Sequence, residues 1–210
     1  MIILYAVTWR DGVPPLDEGA ELVEEGELAM VVGPAPTATS REDALAFGRT
    51  IERLAAAVDV LPFRYGTTVA DADEAGALLR EHGSGWAARL QKVEGCAELA
   101  LRATPPPSHD QERAESGTAH LNRLVSRSRH LDAVEGEVAD LLTGRCRVVR
   151  RLAGHEELRL SFLVERPSVE PVRSALQEWA TRRDDLVVSV TGPWAPYSFA
   201  ADGEDSGVAL

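Results

Sequence analysis

The chain has 210 residues, of which 44% are hydrophobic and 27% charged, and its formal net charge is −12. That balance belongs to a globular chain able to bury a core, not to a disordered one. It excludes a large nucleic-acid footprint, which needs a basic face, and no apolar run approaches the roughly 20 residues that span a bilayer.

Residues 2–9 carry strand formers, and Asp11-Gly12-Val13-Pro14-Pro15 ends the strand. With no basic segment before this run and no small-residue cleavage site after it, it reads as a first strand rather than a signal peptide, so a cytoplasmic chain is expected. The acidic stretch Asp17, Glu18, Glu21, Glu24, Glu25 and Glu27 lacks the pattern of a calcium loop and reads as a solvated face or flexible loop. Leu28–Val32 is a second strand closed by Gly33-Pro34. Ser40 with Asp43 marks a helix start, and the apolar spacing predicts a helix to about residue 58. Val60–Val69 is β-rich, with Pro62 suited to a strand beginning or an edge. A second helix is predicted over 73–90, interrupted by Gly83 and Gly85, and a strand over 92–103.

Thr104-Pro105-Pro106-Pro107-Ser108 is the clearest linker, since three prolines continue neither helix nor central strand. Beyond it a long helix is predicted over 110–142, with Leu121, Leu124, Leu131, Val134, Val138 and Leu141 at helical spacing. Arg145–Leu152 and Leu158–Val164 read as a hairpin across Ala153–Glu156. A helix after Pro167 and Pro171 and a strand at Leu186–Thr191 complete the chain. The expected fold class is α+β in two small domains. The first, 1–104, is a ferredoxin-like variant (ββαβαβ); the second, 105–210, is an α+β domain (αββαβ) led by the long helix.

No constellation for chemistry emerges. His82, His109, His120, His130 and His155 are scattered, and none sits beside a nucleophile with an orienting third group. Asp71, Asp73 and Glu74 stand where helix capping explains them. Cys96 and Cys146 fit no zinc spacing and read as reduced thiols. No catalytic, cofactor-binding or metal-binding residues are therefore assigned. The cluster Arg123, Arg127, Arg129, Arg145, Arg147, Arg150 and Arg151 reads as a salt-bridged helix face and edge strand, with an anionic partner site as the alternative.

Two segments differ from their surroundings. Leu61-Pro62-Phe63-Arg64-Tyr65-Gly66-Thr67 alternates bulky and polar groups around one arginine. Thr191-Gly192-Pro193-Trp194-Ala195-Pro196-Tyr197-Ser198-Phe199 sets three aromatics in a stiff stretch that either packs back on a sheet or forms a contact surface. The first, from Val60, resembles the "VLPxRFGT" signature of the GvpL/GvpF gas vesicle proteins, with Tyr65 for phenylalanine. The second resembles their "TGPWPPYSF", with Ala195 at one proline. Weaker matches are Leu4–Val7, Leu90–Val93 running into Gly95 and Glu98, and Gly117–Leu121, where His120 departs from the usual tyrosine.

The resemblance implies an assembly or minor structural protein of the gas vesicle, without enzymatic activity or cofactor. It also implies an N-terminal domain related to the ferredoxin-like fold. The implied partners are the hydrophobic shell protein, GvpA-like, and other accessory proteins, and the place is the cytoplasm and the gas vesicle. On this reading Pro62, Arg64, Tyr65, Gly66, Thr67, Gly192, Pro193, Trp194, Pro196, Tyr197 and Phe199 are the signature and candidate interaction residues. The rival is a small-molecule-binding or enzymatic ferredoxin-like protein with a pocket around Arg64.

Overall fold

Ile2–Trp9 forms strand β1, as its run of strand formers requires. The computed structural model describes residues 1–36, 40–106, 117–152 and 157–200, the side chains of 117–120 and 123 excepted. Pro107, Ser108, His109, the expected helix start at Asp110 and the expected turn Ala153–Glu156 with His155 lie outside the described residues. The chain divides into two units: Met1–Glu98 joined by the segment from Trp194 onward, and Leu99–Pro193.

The first unit continues with β2 (Glu21–Glu25), β3 (Leu28–Pro34), α1 (Arg41–Ala57), β4 (Val60–Pro62), β5 (Thr68–Val69) and α2 (Ala72–Val93). Its sheet runs β2-β3-β1-β4, with β5 also on β1. β3 is buried from Leu28 to Gly33, as a strand covered on both faces must be. Tyr5 is a bulge, because Leu4 and Ala6 pair with the successive residues Val32 and Val31. The bulge swings the Tyr5 ring onto Phe47 of α1, with centroids 5.0 Å apart. Gly33 makes room for it: a Cβ there would lie 2.9 Å from Tyr5 Cε2.

Both helices start where their caps are encoded. Ser40 Oγ accepts the Asp43 N–H at 3.0 Å. At α2 the Asp71 carboxylate accepts the Glu74 N–H, and Glu74 reaches back to the Ala70 N–H at 2.6 Å. This reciprocal capping is the structural role of that acidic cluster. α2 passes unbroken through Gly83 and Gly85.

The middle of the acidic stretch is not a loop. Glu21–Glu25 is an edge strand paired with β3 across a tight turn. Leu22 and Val23 are half-buried while Glu21 and Glu24 face solvent. Asp17 and Glu25 are paired with Arg53 of α1 and Arg80 of α2. Charge on such an edge also deters unwanted strand pairing.

The second unit contains β6 (Cys96–Thr104) from Leu99 on, α3 (Gly117–Leu141), β7 (Val148–Leu152), β8 (Leu158–Glu165), α4 (Val169–Ala180) and β9 (Val187–Trp194) up to Pro193, with sheet order β7-β8-β6-β9. Here the organisation differs from the expected boundary after residue 104. β6 lies between β8 and β9, and the C-terminal segment returns to the first unit. The prolines do stop β6, but which sheet a strand joins depends on residues far along the chain. The core holds Leu99, Leu101, Leu160, Phe162 and Val164 with Leu131, Val134 and Val138 of α3 and Val172, Leu176 and Trp179 of α4.

α3 is tied down along its C-terminal half. Arg151 of β7 bonds Asp132 at 2.7 Å and Glu135 at 2.6 Å, and Arg183, between α4 and β9, pairs with Glu137. Arg183 also hydrogen-bonds Asp185 and holds its carboxyl at about 2, below the usual 3.8. A group whose folded pKa is depressed stabilises the fold above its unfolded pKa and loses that contribution as the pH falls through the folded value. Asp185 is exposed, so the pair is worth about 0.2–1 kcal/mol. In urea titrations, the gap between wild type and Asp185→Asn should be present at neutral pH and close as the pH drops from about 4 towards 2.

Candidate interaction surface

The first signature segment is a strand end and a turn. Pro62 closes β4, an edge strand of the sheet, where its missing N–H costs no ladder bond. The Phe63 N–H donates to the Tyr5 carbonyl at 2.9 Å, after which the chain leaves the sheet. The Thr67 N–H and hydroxyl both donate to the Arg64 carbonyl, at 3.1 and 2.8 Å. Gly66 supplies the φ of +91° that this turn demands. The continuous strand expected over 60–69 is therefore two short strands separated by a turn.

Arg64 is exposed at the turn while Tyr65 turns inward. The Tyr65 ring meets Phe47 edge-on at 5.5 Å and packs against the cluster of Ile3, Ala6, Val31, Phe47, Ile51, Leu54 and Val60. Its hydroxyl oxygen is buried with no hydrogen-bond partner among the described residues. An unsatisfied buried hydroxyl costs stability, so Tyr65→Phe should leave the urea midpoint unchanged or raise stability by up to about 1 kcal/mol. A clear fall would mean that the hydroxyl has an acceptor.

The second segment begins in β9. The Arg173 guanidinium of α4 donates to the Gly192 carbonyl at 2.6 Å, and the Gly192–Pro193 peptide is cis. From Trp194 the chain belongs to the first unit. Ala195 is buried in the same cluster that holds Tyr65, and Pro196 is buried. The short helix α5 (Tyr197–Ala200) packs on β4 and α2. The two signature segments, more than a hundred residues apart in sequence, are thus brought onto one body of structure.

Within that segment the side chains divide. Ala200 is fully buried and Phe199 half-buried, whereas Trp194 is 42% and Tyr197 37% exposed. Burial, then the Glu52 carboxylate, push the Tyr197 phenol up to about 12, so it stays neutral. One anchor that sequence reasoning left without a role is Glu98, 5% exposed. Its two oxygens accept the Ser198 N–H at 2.8 Å and the Ser198 hydroxyl at 2.6 Å. The signal available was a carboxylate within the otherwise apolar run Cys96–Leu101.

The apolar stripe of α3 is divided too. Leu131, Val134 and Val138 are buried, but Leu121 is 60% and Leu124 39% exposed. A cavity of about 360 Å³ in the second unit is lined by Gly144, Arg145, Cys146, Arg147, Glu165 and Ser168 among others, and Arg64 is not part of it. Burial pushes the Cys146 thiol up, away from the thiolate needed for reactivity. Among the described residues no group of three or more His, Cys, Asp or Glu is placed to hold a metal, and no helix is long and apolar enough to cross a membrane.

Two α+β units, with the C-terminal segment returned to the first, define a fold that solved structures share. The gas vesicle protein GvpF from Anabaena sp. PCC7120 is similar with a TM-score of 0.75, 17% identity and 98% of both chains covered. GvpF from Microcystis aeruginosa is similar with a TM-score of 0.74, 15% identity, and 95% of this chain and 98% of that one covered. In sequence the chain is 27% identical over 219 residues to gas vesicle protein F of Streptomyces sp. (strain CB03234), covering 90% of each. It is 26% identical over 254 residues to gas vesicle protein L of the same organism, covering 96% and 93%. The family described as "Gas vesicle synthesis protein GvpL/GvpF" matches residues 2–201, and the chain belongs to it.

Proposed function

We propose that this protein serves gas vesicle assembly in the cytoplasm, by contact and without turning over a substrate. It binds the hydrophobic shell subunit and other accessory proteins while the gas-filled wall is nucleated. A free shell subunit exposes apolar surface and strand edges, which invites aggregation. An acidic partner at −12 can cover that surface and keep the pair apart from its neighbours by charge.

The observation that carries the reading is the seating of the C-terminal aromatics. Ala195, Pro196, Ala200 and the Glu98–Ser198 bonds fix the segment, while Trp194 and Tyr197 keep two-fifths of their surface in solvent. Aromatic rings held rigidly with part of their area exposed are what interface anchors look like before binding.

The test is capture of the purified shell subunit by wild type and by a Trp194→Ala/Tyr197→Ala variant. Both side chains are partly exposed, so far-UV circular dichroism should be unchanged while retention falls about tenfold or more, the size expected for anchor residues. Equal retention by the folded variant would move the contact elsewhere. A tight small ligand at Arg64, found by titration calorimetry, would replace the reading altogether.

A further inference from the structure

We infer that the N-terminal half of α3 is a second docking surface, built for an acidic amphipathic helix of a partner protein. It lies wholly in the second unit and stands independently of the aromatic segment.

Three observations meet there. First, the buried stripe of Leu131, Val134 and Val138 continues N-terminally at helical spacing to Leu124 and Leu121, which are exposed, as is the adjoining Val125 at 42%. The same face is core at one end of the helix and open at the other. Second, residues 117–131 contain Arg123, Arg127 and Arg129 with His120 and His130 and no acid at all, in a chain of net charge −12. Third, among the described residues the ion pairs of α3 run through Asp132, Glu135 and Glu137, and His130 lies 3.0 Å from Asp185. The Nε–H of Arg127, at the junction of the two halves, is buried with no acceptor among the described residues. Among the described residues, the ion pairs gather on the seated half of the helix, and Arg127 and Arg129 on the other half make none.

An apolar ridge at i, i+3, i+4 flanked by arginines matches a helix with its own apolar ridge and acids beside it. A second copy of this chain docked through the same face would set arginine against arginine, which a two-fold contact cannot avoid. An anionic membrane is a broad plane of charge that meets the repulsion of the whole molecule, whereas a short helix meets mainly the arginines within a screening length of about 8–10 Å.

The test uses the full chain and a labelled amphipathic peptide of about twenty residues, with leucines on one face and glutamates on the others, read by fluorescence anisotropy. A control peptide carries lysine for every glutamate. Saturable binding of the acidic peptide alone is expected. It should weaken about tenfold or more in a Leu121→Ala/Leu124→Ala/Val125→Ala variant, which keeps helix propensity, and in Arg129→Glu. It should also weaken between about 50 and 300 mM salt. Trp194→Ala/Tyr197→Ala should bind the peptide as wild type does, which separates this surface from the one above. Absent binding, equal binding of both peptides, or indifference to these substitutions overturns the inference. So does binding of phosphatidylglycerol vesicles but not the peptide, or a dimer in sedimentation that the triple alanine variant abolishes.

Discussion

Phe63→Ala should destabilise the first unit by about 3–5 kcal/mol, the range for removing a buried phenyl ring and leaving its cavity. Phe63 has no solvent exposure, and its ring meets Trp86 of α2 edge-on, with centroids 6.1 Å apart and planes at 88°. Its N–H is tied to Tyr5, so the backbone cannot shift freely to fill the space. A domain of ordinary stability has only about 5–15 kcal/mol in hand, so the loss removes a large share of it. Phe63→Leu keeps much of the volume and should cost about 1.5 kcal/mol or less. Urea unfolding followed by near-ultraviolet circular dichroism measures both. An alanine variant within about 1 kcal/mol of wild type would show that the site collapses and that α2 does not depend on this ring. The residue occupies the unspecified position of the first signature, between Pro62 and Arg64. A position that a pattern leaves open can still be a centre of the core.

Elements whose physics is local were legible in the sequence. The caps at Ser40 and Asp71 announced α1 and α2, and Pro167 and Pro171 announced α4. β2 was not, because glutamate disfavours strands and the acidic run looks like a loop. What makes it a strand is β3 beside it, with Leu22 and Val23 half-buried on opposite faces; the Gly26-Glu27 turn was the local hint. The run over 60–69 looked continuous because its residues are strand formers. The Arg64–Thr67 turn is enforced by two hydrogen bonds to one carbonyl.

The candidate surface was legible as a motif and illegible as a geometry. Stiffness and aromatic content marked the 191–199 segment, but burial of Ala195 and Pro196 against exposure of Trp194 and Tyr197 is decided by what the first unit presents to it. Periodicity likewise gave the whole stripe from Leu121 to Leu141 as one face. Only the extent of the second unit's core divides it into a seated and an open half.

Glu98→Ala should cost about 2–4 kcal/mol, since hydrogen bonds to a charged group are worth about 1.5–3 kcal/mol each and the stranded donors stay partly buried. Glu98 sits at the last residue of the first unit, on β6, and Ser198 lies 100 residues along the chain. Two bonds to one carboxylate therefore clamp the returning segment to the point where the chain leaves for the second unit. Arg89 of α2 adds a long contact of 3.5 Å to the Ala200 carbonyl, too weak to replace them. Glu98→Gln keeps one acceptor oxygen but turns an amide N–H₂ towards a donor, so it should recover only part of the loss. Ser198→Ala keeps the backbone bond and should cost less than Glu98→Ala. The distinguishing readout is local: limited proteolysis should cleave beyond Pro193 sooner in Glu98→Ala than in Phe63→Leu, whose damage lies in the core. If the clamp is what presents Trp194 and Tyr197, Glu98→Ala should lose shell-subunit capture as fully as removing the two rings, with both rings still in place. Undiminished capture in a variant whose segment is demonstrably loosened would break the link between the clamp and the contact.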